Sequence, residues 1–287
     1  MTKVLVTGST GNIGQYVVEK LMEEGVPTRA AVTNIERGKK FYSTLPVELV
    51  VFDFLRQETY REALEGVNKV FLMRPPKLAN PKKDILPFLK EAKSAAVEQI
   101  VFVSLLGVEK NPVVPHRKIE DLILKLDFQY TFLRPSFFMQ NLNTTHRDDI
   151  LIRNELFMPV GNAKTSFIDT RDIGEIAAIC LMNEEHLNKK YTLTGSEAIT
   201  YYEVAETMSK VLNRTITYSN PGILEFRRTI MKRGTPKGFA NVMTMLYVMT
   251  KLGTAGHITD DAKRILNRDP ILFREYVEDH KEFFQHT

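Results

Sequence analysis

The chain has one cysteine in 287 residues, no apolar run long enough to cross a bilayer, and no histidine and acid spacing that would hold a metal. Each absence removes a class of protein. A single thiol, Cys180, cannot close an internal disulfide and suits a reducing cytoplasm. It stands in Ala177-Ala178-Ile179-Cys180-Leu181, the setting of a small core residue rather than of a reactive one. The longest purely apolar stretch, Ile176 to Met182, falls far short of the roughly 20 residues that a spanning helix needs, so no membrane partner is expected. The first apolar stretch ends at once in a glycine turn, which is not the layout of a secretory leader. No metal is expected either. Excess charge is equally scarce: a net charge of +4 is too mild to argue for nucleic acid. The densest basic stretch, Arg227-Arg228 with Lys232-Arg233 and Lys237, lacks interleaved aromatics and reads as a solvated helix face or an anion-binding surface. Repeats and low-complexity segments are absent.

What is present is a globular composition, 43% hydrophobic and 26% charged, in a chain long enough for one large α/β domain and a smaller lobe. The specific chemistry sits at its start. Val4-Leu5-Val6 runs into Thr7-Gly8-Ser9-Thr10-Gly11-Asn12-Ile13-Gly14, and Ile13, Val17, Val18, Leu21 and Met22 follow at helical spacing. Strand, tight glycine turn and helix together set a diphosphate on a helix N-terminus, where free N–H groups and the helix dipole favour negative charge. The glycines remove Cβ atoms that would block the ligand. Gly8, Thr10, Gly11, Asn12 and Ile13 are therefore the expected cofactor-binding residues of this turn. The loop lacks the Gly-Lys-Ser/Thr ending of a nucleoside triphosphatase. Its T-G-x-x-G-x-x-G spacing resembles the short-chain dehydrogenase/reductase superfamily, which implies a dinucleotide.

The first half alternates short apolar strands, near 3–7, 28–32, 47–52, 68–73, 99–104 and 129–133, with helices near 12–24, 35–43, 57–65, 82–97 and 116–127. Such strands need burial on both faces, which predicts a doubly wound parallel sheet, Rossmann-like, with a smaller, mostly helical C-terminal lobe. A strand near 165–168, a helix over about 170–183 and a strand near 190–194 are expected to return to the sheet. The expected division is 1–155 for the dinucleotide-binding domain, with 163–195 returning to it, and 196–287 for the substrate-side lobe.

In such sheets the ligand lies at the carboxyl ends of the strands. That places Thr33 and Asn34, Asp53 and Phe54, Met73 and Arg74, Ser104, and Pro135 with Phe138 around a cofactor. The end of strand 2 reads Ala31-Val32-Thr33-Asn34 without the acid that an NAD-preferring site uses, and Arg37, Lys39 and Lys40 follow. NADP is therefore favoured over NAD, with Arg37 as the 2′-phosphate contact. Asp53 either accepts from an adenine amino group or caps the turn before Arg56.

Ser104 stands where a short-chain dehydrogenase has its catalytic serine, yet Tyr-x-x-x-Lys is missing from the corresponding helix, which opens His116-Arg117-Lys118-Ile119-Glu120. With Val101-Phe102-Val103-Ser104, Gly107-Val108 and Tyr130-Thr131-Phe132-Leu133-Arg134-Pro135 running on to Asn141-Leu142, this resembles the NmrA-like branch of the atypical short-chain dehydrogenases. Thr170-Arg171-Asp172-Ile173-Gly174 and Tyr191-Thr192-Leu193-Thr194-Gly195 continue the likeness more loosely. The resemblance implies one of two activities. One is an NADP(H)-dependent reductase that passes hydride to a small planar acceptor such as a quinone. The other is a non-catalytic NAD(P)-binding redox sensor that regulates a partner protein. For an enzyme, His116 and Ser104 are the catalytic candidates, with His116 supplying a proton or orienting the acceptor. Glu120, one turn on, is expected to hold the imidazole tautomer. Phe137, Asn141 and Phe167 are the expected substrate contacts, Phe137 and Phe138 walling an apolar slot. Phe226, Phe239, Met243, Met245 and Met249 suit a pliable lid or a plain core stripe.

Overall fold

A computed structural model describes residues 2–285. In chain order the elements are β1 (Val4–Val6), α1 (Gly14–Glu23), β2 (Thr28–Val32), α2 (Ile35–Phe41), β3 (Glu48–Val51), α3 (Tyr60–Leu64), β4 (Lys69–Leu72), α4 (Pro81–Asp84), α5 (Leu86–Ser94), β5 (Gln99–Val103), α6 (Pro115–Lys125) and β6 (Gln129–Pro135). They continue as α7 (Arg147–Arg153), β7 (Glu155–Leu156), α8 (Thr170–Met182), β8 (Lys189–Leu193), α9 (Tyr201–Leu212), β9 (Thr217–Tyr218), α10 (Ile223–Lys232), α11 (Lys237–Lys251), α12 (Asp261–Leu266) and α13 (Phe273–Asp279). The chain divides into two compact units: Met1–Pro135 with Thr170–Leu193, and Ser136–Asp169 with Thr194–Thr287. Residues 136–155, expected with the first part, thus belong to the second unit, and the return to the sheet is made by 170–193.

The first unit is a seven-stranded parallel sheet of order β3-β2-β1-β4-β5-β6-β8. The order reverses between β1 and β4, the switch point at which such sheets open a crevice. Burial on both faces explains the strand composition: β1, β2 and β5 are buried along their whole length. One apolar layer packs Phe52, Phe88 and Phe102 with Leu5, Val70, Ile100, Ile119 and Ile123. The polar exception inside β2, Arg29, is matched: its guanidinium donates to the carbonyls of Glu62, Ala63 and Glu65 at the end of α3 and pairs with Glu48. A cation there meets the negative end of the helix.

Two expected elements differ. The helix expected near 82–97 is split at Ile85 into α4 and α5, because Pro87 in the first turn of α5 has no N–H to continue the ladder. The strand expected near 165–168 is reduced to isolated bridges, Thr165 to Ile199 and Ile168 to Phe138. These lie in the second unit, whose own sheet among the described residues is the parallel pair β7 and β9. Its core is helical and rich in aromatics, with Tyr201, Phe226, Phe273, Tyr276 and Phe284 fully buried.

Helix α8 covers the sheet beside α1, and the approach is set by Gly174. A Cβ there would stand 2.5 Å from the Cβ of Tyr16 and 3.2 Å from the Ile13 carbonyl oxygen. Both are stem or backbone atoms that cannot swing aside. Gly174→Ala gains about 1 kcal/mol of helix propensity but meets an overpacking cost of up to about 3 kcal/mol. A net loss of about 2 kcal/mol is expected, read as a lower urea midpoint at unchanged slope; an unchanged midpoint would show that the two helices part freely.

Candidate functional site

The glycine turn is an open cradle held from both sides. Gly8 has φ +62°, which a side chain resists, and Gly11 N–H donates to its carbonyl at 2.9 Å. Gly14 could carry no side chain at all: its Cβ would lie 2.2 Å from the Gly8 carbonyl oxygen. Thr7 Oγ1 donates to the Phe71 carbonyl (3.0 Å) and accepts from Met73 N–H (2.9 Å), fastening the turn to the end of β4. On the other side Ser9 Oγ donates to the Ala31 carbonyl (2.7 Å), and the Tyr42 hydroxyl donates to the Ser9 carbonyl (2.6 Å). Burial pushes the Tyr42 phenol well up, so it stays a donor. Sequence reading passed over Thr7, Ser9 and Tyr42. The only signal for the first two was a hydroxyl inside the motif, and for Tyr42 there was none.

Between these anchors Gly8, Thr10, Gly11 and Asn12 are exposed while Ile13 is buried in the layer beneath. Ile13 occupies the N-cap position of α1 and has no oxygen to offer, so no side chain caps the helix. Among the described residues the N–H groups of Asn12 and Ile13 have no acceptor. Uncapped donors, a helix dipole and missing Cβ atoms are what a diphosphate requires, so the residues present fit a dinucleotide.

Along the carboxyl ends of the other strands the expected residues differ in what they have free. Thr33 and Asn34 are exposed beyond β2, and Asn34 Oδ1 accepts from Arg37 N–H (2.9 Å), capping α2. The Arg37 guanidinium is exposed with no ion pair among the described residues, whereas Lys39 pairs with Glu36 at 3.0 Å. Asp53 Oδ1 accepts from Leu55 N–H (2.9 Å), the turn-capping contact of its two readings. Phe54 is buried edge-to-face on Phe52 and Phe88. Met73 is half-buried alongside Gly8. Pro135 closes β6, accepting from Leu106 N–H at 3.0 Å.

Ser104 and Arg74 carry unmet polar atoms. Ser104 is 4% exposed, its N–H donates to the Leu133 carbonyl (2.7 Å), and its Oγ has no partner among the described residues. Arg74 spends one terminal nitrogen on the carbonyls of Pro75, Pro76 and Leu78, while its buried Nε has no acceptor. Orphaned buried groups cost free energy and mark places where a ligand atom belongs.

The surroundings of His116 bear on the first of its two expected roles, supplying a proton. The half-buried imidazole stacks on Phe102 at 6.1 Å, and burial together with the charge of Arg74 pushes its pKa down to about 3. Near neutral pH it is an uncharged ring with one N–H to offer, and it does not deliver a proton as an imidazolium would. Glu120 does not orient it. That carboxylate, 1% exposed, forms a two-point pair with Arg134 at 2.7 and 3.1 Å, and Glu109 reaches the same guanidinium at 3.4 Å. The four-residue spacing that put Glu120 under His116 also points it at the end of β6, where a buried cation has the stronger claim.

The remaining expected residues belong to the second unit. Phe137 and Phe138 are half-buried, Phe137 stacked on Tyr247 at 6.3 Å. The Asn141 side chain is half-buried and makes no hydrogen bond among the described residues. Phe167 is a core side chain, edge-on to Tyr201 and packed on Phe273. Beneath Phe137, the Tyr247 hydroxyl and His146 Nε2 share a fully buried 2.6 Å hydrogen bond, and burial lowers the His146 pKa to about 4. In the basic stretch Arg233 is committed to Asp149 (2.7 Å) and Glu155 (2.8 Å).

The model of the NmrA-like family matches residues 1–276. Prestalk A differentiation protein A of Dictyostelium discoideum is 28% identical, over 99% of this chain and 93% of its own. The NAD(P)H azoreductase of Xenophilus azovorans is also 28% identical, over 98% and 99% of the two chains. Among solved structures, the Escherichia coli NADPH-dependent quinone oxidoreductase QOR2 in complex with NADPH superposes with a TM-score of 0.86 at 23% identity, over 96% of this chain and 99% of that one.

The imidazoles of His116 and His146 tie stability to pH. Their folded values, about 3 for His116 and about 4 for His146, lie below the ordinary 6.5 that each regains on unfolding. The unfolded chain therefore binds more protons below pH 6.5, and stability falls as the pH drops from there toward the folded values. Urea unfolding between pH 7.5 and 5 checks this: His116→Gln should lessen the acid loss by up to about 1.4 kcal/mol per pH unit below the unfolded value. Parallel pH profiles for variant and parent would mean that the folded ring takes up its proton freely.

Proposed function

The chain belongs to the NmrA-like family, and from that premise we propose that it is an NADP(H)-dependent oxidoreductase that passes hydride to a small planar acceptor such as a quinone. The observation that carries the NADP reading is the end of β2, where Thr33-Asn34 stands in place of an acid and the exposed Arg37 guanidinium has no ion pair among the described residues. A carboxylate there would bond both ribose hydroxyls and repel a 2′-phosphate; an unpaired guanidinium two-point binds one. The N–H groups of Asn12 and Ile13, with Gly8 and Gly11 beside them, would hold the diphosphate. Bound there, the nicotinamide supplies a hydride from its C4 position.

The protein's share of the reaction is placement. Ser104 Oγ and Arg74 Nε each lack a partner and are satisfied by polar atoms of the bound cofactor or acceptor. His116, held neutral by its surroundings, orients by its N–H. Phe137 and Phe138 offer flat apolar surfaces to a conjugated ring, and the Asn141 amide offers a donor to an acceptor oxygen. A quinone takes one proton from water once hydride has arrived, so the absence of Tyr-x-x-x-Lys from α6 costs this reaction little. The azoreductase and quinone oxidoreductase resemblances support the same acceptor class, since azo dyes and quinones are both flat, conjugated and electron-poor.

Purified protein with NADPH and a panel of quinones and azo dyes tests the reading. Cofactor oxidation above background is expected with at least one acceptor; none with any would overturn it. Arg37→Ala should weaken NADPH binding by about tenfold or more, the worth of one charge-assisted contact, and leave NADH binding unchanged. Equal losses for both dinucleotides would remove Arg37 from the phosphate site.

A further inference from the structure

Helix α11 turns two apolar faces outward from its axis, and only one is used. Ala240, Met243, Tyr247 and Thr250 are buried in the second unit. Phe239, Val242, Met245, Leu246, Met249 and Leu252 are 40–72% exposed. At 3.6 residues per turn these six fall within an arc of about 140° beside the buried one. A fifteen-residue helix thus shows solvent an apolar stripe along its full length. An exposed stripe of this kind marks an interaction surface.

Charge says what covers it. From Phe226 to Thr259 the chain contains no aspartate or glutamate but six cations, Arg227, Arg228, Lys232, Arg233, Lys237 and Lys251. Arg233 is committed to Asp149 and Glu155. Arg227 reaches from α10 to Asn241 Oδ1 at 2.8 Å, which sets its guanidinium at the edge of the stripe. Arg228, Lys232, Lys237 and Lys251 are exposed and have no ion pair among the described residues. Leu224, on the same face of α10 as Arg227 and Arg228, is 68% exposed. Long flexible cations without fixed partners, around methionine, leucine and phenylalanine, suit a diffuse negative surface with an apolar layer under it. We propose that α10 and α11 form a docking face for an anionic lipid bilayer, the stripe lying in the headgroup boundary and the cations meeting lipid phosphates. No spanning segment is needed for that, so the shortness of the chain's apolar runs does not weigh against it. A second copy of the chain fits less well, because pairing this face with itself would gather like charges against the single acid of the two helices, Glu225.

The full chain is mixed with vesicles of phosphatidylcholine alone, or with one-third phosphatidylglycerol, and pelleted. Binding to the anionic vesicles should exceed that to the neutral ones by about tenfold and fall as salt rises. Leu246→Glu with Met249→Glu, and separately Arg228→Glu with Lys232→Glu, change exposed side chains only. Each pair should leave circular dichroism and the thermal midpoint unchanged and reduce pelleting several-fold. The proposal fails if anionic vesicles leave the protein in solution at low salt. It fails if pelleting survives the Leu246 and Met249 changes, since charge alone would then explain it. It also fails if sedimentation shows a dimer that these changes dissolve, or if soluble polyglutamate binds the protein while vesicles do not.

Discussion

The distance between position 14 and the Gly8 carbonyl decides what the rest of the first unit can be. With no side chain at Gly14, α1 starts directly on the turn that leaves β1, and its first N–H groups face outward past Gly8 and Gly11. Add one carbon and the helix must lift by more than an ångström, because the obstacle at 2.2 Å is a backbone oxygen. The phosphate cradle and the packing of α1 on the sheet are therefore one geometric fact. Gly174 extends it: α8 lies where it does because α1 is already pressed to the sheet and Tyr16 meets a helix with no Cβ. Thr7, Ser9 and Tyr42 then hold the turn to β4, β2 and the end of α2, so its free N–H groups are fixed in direction. Preorganisation of this kind lowers the ordering cost of binding.

The second constraint is the placing of cations in poorly solvated ground. Arg74 sits by His116, and the two cannot both be charged cheaply. The guanidinium keeps its proton, with three carbonyls to hold it, and the imidazole gives its proton up. Acid–base chemistry of the tyrosine and lysine kind is missing from α6, and the histidine that stands there is neutral. A site so built favours reactions in which the electron pair and its hydrogen travel together and protons come from solvent. Arg134 is treated in the opposite way, drawn into the end of β6 and neutralised by Glu120 and Glu109. Removing either partner of such a buried pair strands a charge, and its role is to fix α6 against β6.

The strands were legible because burial on both faces writes a simple pattern. The first six were expected within two residues of where they stand, β2 over Thr28–Val32 among them. The rest was less legible for local reasons. Pro87 breaks a helix that apolar periodicity alone would run through. Thr165 to Ile168 has strand composition, yet its backbone bonds to single residues of loops rather than to a neighbouring strand. Glu120 shows the limit of spacing arguments: a helical repeat says which side chains share a face, and the partner across the gap decides the contact. Hydroxyls such as Thr7 and Ser9 read as filler until the carbonyls they meet are in place.

Periodicity also left two readings of the methionines after Phe239, and in α11 one of them is core while two are exposed. Met243 lies at 8% exposure with Tyr247 in the core, while Met245 and Met249, on the neighbouring arc, stand nearly half exposed. A heptad count cannot separate such arcs, because both are apolar and together they make the helix look buried all round. What separates them is the shortage of neighbours: the second unit has one core, and it reaches only the side of α11 that carries Ala240 and Thr250. An apolar surface left over in this way costs solubility. The surrounding cations offset that cost in water, and the same charges attract whatever negative surface the stripe can enter.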